Sequence, residues 1–211
     1  MRLLDAFSDS LTYVGLFLRD PELAATEHDT VQKDLDRLLG LAEQRAPAVD
    51  RSRFEEARFA VCAWIDEQLL GSEWRNRDQW LVDPLQKRFY GTLQAGEEFY
   101  LRLDKLLDSL SEGVNQYSGP DVTPQGEATA QAEPSESGAR QALEVYAACL
   151  ALGFTGRYFQ GEDQEHLRQL KTRCQRALYG SEEAREAERL FPQAYSPSSR
   201  RRRKRQGGAI P

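Results

Sequence analysis

The sequence predicts an all-α protein, and three observations carry that reading. Good helix formers (Leu, Ala, Glu, Gln and Arg) dominate its 211 residues, whereas β-branched residues are sparse. Apolar residues recur at spacings of three and four, as on one face of a helix. Pro, Gly and Asp fall between these runs, where helices start and stop. At 40% hydrophobic the chain can build a core, and at 29% charged it has a polar surface to cover it.

Leu3, Leu4, Phe7, Leu11, Val14 and Leu18 define a first helix. Asp20-Pro21 is expected to open a second, through Val31, Leu35, Leu38 and Leu39 to about Arg45. A third covers Arg51 to Leu70, with Gly71 as its C-cap. A polar loop with tryptophans, Ser72 to Leu81, is expected next. Asp83-Pro84 opens a short helix to Tyr90 that Gly91 closes. The next helix carries Phe99, Leu103, Leu106, Leu107 and Leu110.

From Glu112 to Gly138 large apolar residues almost vanish and polar, Gly and Pro residues take over. This reads as a disordered connection between two lobes. A strongly apolar helix runs from about Arg140 to Phe154, and Gly153 to Tyr158 form a turn. Another helix covers Gln164 to Tyr179, and Ser181 caps a short last one. Residues 1–180 are thus expected to form the helical domain, and 181–211 a short helix with a flexible basic tail.

The net charge is −6, unevenly spread. Arg200, Arg201, Arg202, Arg203, Lys204 and Arg205 hold six positive charges, and without them the rest carries −12. An acidic body repels phosphates and argues against nucleic acid as a partner. Cys62, Cys149 and Cys174 lie within helical patterns without ligand spacing, which fits reduced, packed thiols. No secretory signal or apolar run of about 18 residues is expected. His28 and His166 lack metal-ligand neighbours, and His28 is expected on a solvated helix surface beside Glu27 and Asp29. No serine or cysteine has a nearby base. The expectation is a protein without catalytic residues, metal or cofactor.

The helix Phe54 to Leu70 is the most informative stretch. At about 100° per residue, Phe54, Ala57, Val61, Trp64, Ile65 and Leu69 form one apolar face, and Phe59, Ala63 and Leu70 form another. A helix apolar on both sides is buried between neighbours. Asp66 lies between the faces and Glu67 points elsewhere, so the two cannot meet one substrate as a catalytic dyad. A buried carboxylate is costly unless bonded. The pair is expected either to accept backbone amides of a neighbouring loop or to meet a basic partner surface. Trp74 and Trp80 either anchor a partner or pack their loop onto the bundle.

Ala60-Val61-Cys62-Ala63-Trp64-Ile65-Asp66-Glu67 resembles the "ALCAxxDE" helix of the DotU/TssL family, with Trp74 or Trp80 standing for its following tryptophan. Ala95-Gly96-Glu97-Glu98-Phe99-Tyr100 is similar to that family's "GGExFF" helix start. Leu143-Glu144-Val145-Tyr146 to Leu150, with Leu152-Gly153-Phe154-Thr155-Gly156-Arg157-Tyr158, resembles "LELxYxCLxLGFxGxY". The three motifs occur in the family's order across most of Leu3 to Tyr179.

The resemblance implies a hook-like pair of three-helix bundles, about seven to eight helices in all, on the cytoplasmic face of a bacterial inner membrane. It implies a structural role in type VI secretion, next to an IcmF/TssM-like membrane protein and TssK- and TssE-like baseplate proteins. A second copy of the chain is a further candidate partner. Asp66 and Glu67 map onto the family's acidic pair in a cleft between bundles, with Trp64, Trp74 and Arg157 expected to shape it. The alternatives are a type IVb stabiliser of an IcmF-like partner, or a helical adaptor unrelated to secretion. The connection at 112–138 is longer than the family pattern. The family usually ends in a membrane-spanning helix and this sequence stops before one, so either a fragment cut before its anchor or a naturally unanchored member is expected. The Arg200 to Arg205 block stands where a juxtamembrane segment would be, and would face anionic lipid.

Overall fold

Helix α3, Arg51–Leu70, organises the fold because it is apolar on nearly every side. Phe54, Phe59, Val61, Trp64, Ile65 and Leu69 are all buried, and its exposed residues, Arg51 and Ser52, lie in its first turn. Asp50 caps its start, accepting from the Ser52 amide at 3.1 Å. A computed structural model describes residues 2–20, 23–46, 50–116, 134–159 and 163–190, all of them helix, turn or connection.

Among the described residues seven further α-helices surround α3: α1 (Leu3–Phe17), α2 (His28–Arg45), α4 (Arg77–Val82), α5 (Leu85–Tyr90), α6 (Ala95–Gln116), α7 (Pro134–Ala151) and α8 (Gln164–Leu190). α1 packs on both α2 and α3. α7 packs on α6 and α8, and α6 also meets α8. These are two three-helix groups, joined mainly along the seam of α3 with α7 and also where α1 meets α7. The short α4 and α5 pack on α3.

Both groups share one hydrophobic core. Phe7 stacks on Phe54 at 5.3 Å between centroids, joining α1 to α3. Phe99 lies 4.6 Å from Tyr146 and 4.2 Å from Phe154, joining α6 to α7 and its following turn. Each such buried aromatic or aliphatic side chain contributes roughly 1.5–3 kcal/mol by leaving water. The Leu3 amide donates to Gln141 Oε1 at 3.1 Å, pinning α1 to α7. Cys62, Cys149 and Cys174 are free thiols in this core, as their helical surroundings implied. Among the described residues no helix is long and apolar enough to cross a membrane.

Several boundaries differ from the sequence reading. α2 begins at His28 rather than at Pro21. A single 3-10 turn, Leu23–Ala25, comes first. Thr26 then spends its carbonyl on tertiary bonds, accepting from Trp74 Nε1 and Asn76 Nδ2, both at 3.0 Å. The expected loop from Ser72 to Leu81 contains helix α4. Its buried Trp80 anchors it to the core, a tertiary effect that a six-residue pattern cannot signal. The connection expected over 112–138 is shorter: α6 runs to Gln116 and α7 starts at Pro134, while 117–133 lie outside the described residues. The break expected before Ser181 falls at Gly180, whose φ of 82° interrupts α8. Side chains of 181–190 and the whole of 191–211, including Arg200 to Arg205, lie outside the described residues.

Candidate functional site

Asp66 is 1% exposed. Its Oδ1 accepts from the Trp80 indole N–H at 2.8 Å and from the Leu85 amide at 2.9 Å. Its Oδ2 accepts from the Gln86 amide at 2.8 Å. Leu85 and Gln86 open α5, whose N-cap is Pro84 and whose own side chains supply no cap. The orphan amides of a helix start need acceptors, and here the acceptor comes from another helix. Burial pushes the Asp66 carboxyl up to about 6, against the downward pull of these three bonds and of the Arg88 charge.

Glu67 turns the other way. Its Oε1 accepts from the Thr155 amide at 2.8 Å and from the Thr155 hydroxyl at 3.1 Å. Its Oε2 accepts from the Gly156 amide at 2.6 Å. The turn it holds connects α7 to α8, so this carboxylate ties α3 to the second helix group. Gly156 has φ of 50°, and a Cβ there would sit 2.8 Å from the Gly96 carbonyl oxygen and 3.0 Å from the Phe154 ring. The turn can therefore rest on the start of α6 only if this residue is glycine. Tyr100 adds a bond from its hydroxyl to the Thr155 carbonyl at 2.7 Å.

The other expected site residues do not gather around an open cleft. Trp64 is 2% exposed, with its indole N–H 3.4 Å from the Leu152 carbonyl across the α3–α7 seam. Trp74 is 1% exposed, edge-on to Phe17 at 5.5 Å and to Trp80 at 6.0 Å. These two and Asp66 are internal, so a partner cannot touch them in this conformation. The physical reason is that an indole or carboxylate with its polar atoms bonded inside the protein is more stable buried than exposed. Arg157 is the exception. Its guanidinium reaches the surface, pairs with Glu97 at 3.1 Å and lies over the Tyr158 ring at 4.7 Å. Glu67 and Arg157 thus share one turn, whereas Asp66 and Trp74 belong to the α2–α4–α5 side.

His28 is not on a solvated surface, since its ring stacks parallel to Trp74 with 6.3 Å between centroids. Trp80, rather than Trp74, is the tryptophan that serves Asp66, and only three-dimensional contact separates the two. Sequence reading also missed a charged network between α3 and α6. Arg102 sits 3.9 Å above the Phe59 ring and pairs with Glu56 at 3.2 Å and Glu98 at 3.4 Å. Arg58 pairs with Glu55 at 2.6 Å and donates to the Tyr90 hydroxyl at 3.1 Å. Only the spacing of Glu55, Glu56 and Arg58 on α3 could have hinted at it.

Chemically, both carboxylates act as acceptors, bonded to backbone amides and to the Trp80 indole N–H or the Thr155 hydroxyl. Among the described residues no group of three or more His, Cys, Asp or Glu side chains is placed to hold a metal ion. Fold and site together define an all-helical module held by two internal polar braces.

The chain belongs to the DotU family of type VI secretion system proteins, whose pattern it matches over residues 2–115 and 127–211. The fold is similar to that of the cytoplasmic domain of TssL from Acinetobacter baumannii, at 24% identity, with 84% of this chain and 97% of that one covered and a TM-score of 0.63. It is also similar to SciP/TssL of the type VI secretion system of Escherichia coli Enteroaggregative 042, at 25% identity over 80% of this chain and 85% of that one, with a TM-score of 0.54. No curated protein matches the sequence significantly. The family is a structural component of its secretion system.

Proposed function

We propose that this chain is the cytoplasmic platform of a type VI secretion inner-membrane complex, and that it docks baseplate proteins of the TssK and TssE kind. It associates with an IcmF/TssM-like membrane protein, on the cytoplasmic face of the inner membrane. Family membership supports the setting. The observation that carries the docking role is the divergent pair Asp66 and Glu67. Each fixes a separate backbone segment against α3, so the α5 start and the Thr155–Tyr158 turn hold constant positions. A surface that binds without chemistry gains affinity from such preorganisation.

The partner then meets what the braces present rather than the braces themselves. Beside the Glu67 brace that surface includes the Glu97–Arg157 pair and Leu152, which is 49% exposed. The basic block Arg200 to Arg205 would lie at the anionic lipid surface, in a salt-dependent way.

Co-purification tests this reading. The full chain is tagged in its native host and the IcmF/TssM-like, TssK-like and TssE-like products of the same cell are sought by mass spectrometry. Recovery of these proteins, lost when the secretion cluster is deleted, is the expected result. Recovery of none of them, with the chain folded and expressed, contradicts the proposal.

A further inference from the structure

The turn that Glu67 holds is gripped from a second side. Both backbone polar groups of Thr155 are bonded to side chains, and these come from different helices. Its amide and its hydroxyl donate to Glu67 of α3 at 2.8 Å and 3.1 Å. Its carbonyl accepts from the Tyr100 hydroxyl of α6 at 2.7 Å. The same carbonyl also accepts the Tyr158 amide at 2.9 Å, so both of its lone pairs are used. One helix of each three-helix group thus holds the same residue.

Tyr100 is built into the turn rather than set beside it. It is 1% exposed. Its ring lies edge-on to Tyr158 at 4.5 Å between centroids and 6.1 Å from Phe154, the residues that bracket Thr155 to Arg157. Burial, and then the Glu67 charge, pushes its phenol well above the ordinary range, so the hydroxyl keeps its proton and donates. Packing alone does not call for that hydroxyl. Phe99, its neighbour, already fills the core against Phe154 at 4.2 Å without one.

We infer that Tyr100 is a positioning residue for docking: its hydroxyl and the Glu67 carboxylate form one clamp on Thr155, which sets the turn carrying Arg157 relative to both helix groups at once. This rests on the docking role proposed for that turn. Tyr100 is internal and acts only through Thr155, while Arg157 is what a partner meets. A residue held by its amide alone can swivel about that bond, and one held by its carbonyl alone can do the same. Losing either half of the clamp therefore releases the turn, and losing the second half adds little.

The test compares full-length variants. Tyr100→Phe keeps the ring and removes the hydroxyl. It takes no acceptor from the Thr155 or Gly156 amide, yet hydrogen exchange at both should accelerate about fivefold or more as the turn moves against Glu67. Titration with the TssK-like protein of the same cell should show binding at least about fivefold weaker than that of the wild type. Tyr13→Phe is the control, since it removes a hydroxyl bond to Asp34 at 3.3 Å between α1 and α2. It should leave both the exchange of the turn and the affinity unchanged. Tyr100→Phe combined with Glu67→Gln should lose less affinity than the product of the two single losses.

Unchanged exchange at Thr155 and Gly156 in Tyr100→Phe would overturn the clamp, whether or not a partner binds. Accelerated exchange with undiminished affinity would overturn the positioning role. Single losses that multiply in the double variant would show two independent supports instead of one clamp. Failure of the wild-type chain to bind refutes the proposed function, and the positioning role falls with it, while exchange still decides the clamp.

Discussion

Asp66 and Glu67 are neighbours on α3, yet their carboxylates bond backbone amides 70 residues apart in the chain: Leu85 and Gln86 for the first, Thr155 and Gly156 for the second. Adjacent helical residues diverge by about 100°. One dipeptide can therefore reach two sides of its helix at once.

This separation predicts local, non-overlapping effects. Asp66→Asn keeps an acceptor for Trp80 and Leu85 but sets an NH2 group against the Gln86 amide. Glu67→Gln does the same to Gly156. Hydrogen exchange should accelerate at Leu85 and Gln86 in the first variant, and at Thr155 and Gly156 in the second, each leaving the other pair protected. Acceleration at both sites in either variant would show the braces to be one coupled unit.

Removing the Asp66 carboxylate altogether should be among the more damaging single changes on α3. Asp66→Ala leaves two amides and an indole N–H without their acceptor in a buried site. The expected loss is about 2–4 kcal/mol in urea unfolding. A loss below about 1 kcal/mol would mean that the relief from burying a charge offsets the broken bonds.

Acidification should act in an unusual direction at this residue. The folded carboxyl is raised to about 6 from its ordinary 3.8, so the native state takes up a proton more readily than the unfolded chain. Its contribution to stability is fully present below the unfolded value and is lost as pH rises through about 6. Between about pH 7 and about pH 5 the native protein should gain about 1 kcal/mol relative to Asp66→Asn. Urea titrations of both proteins at each pH measure the difference, and a gain of the opposite sign would refute it.

Gly156 and Gly153 both have positive φ, but only Gly156 is crowded. At Gly153, φ 100°, a Cβ would meet nothing within 4 Å. Gly153→Ala should cost about 1–2 kcal/mol from backbone strain alone. Gly156→Ala adds a clash with the Gly96 carbonyl and should cost about 2–4 kcal/mol. Equal losses would mean that α6 yields freely at Gly96.

Much of this architecture was legible in the sequence, because long helices announce themselves by period. Arg51 to Leu70 and the Gly91 stop after Tyr90 fell where pattern and capping placed them. The divergence of Asp66 and Glu67 followed from the wheel alone. The partners did not: a wheel gives direction, not what lies there, so Leu85, Gly156 and the choice of Trp80 over Trp74 needed the tertiary fold. Helix α4 was missed for a related reason, since so short a segment is helical only through the contact Trp80 makes. The open acidic cleft expected around Trp64 and Trp74 reflected chemistry read without burial, and both indoles proved internal.

The central claim, that the acidic pair orients a docking surface, is tested most directly by titrating the purified TssK-like protein of the same cell against the wild-type chain and Glu67→Gln. Glu67 is only partly buried, and the variant should remain folded with a loss of about 1 kcal/mol in stability. The account predicts binding to the wild type and at least about tenfold weaker binding to the variant, as the Thr155–Tyr158 turn loses its fixed position. Undiminished binding by a stably folded Glu67→Gln chain would contradict it.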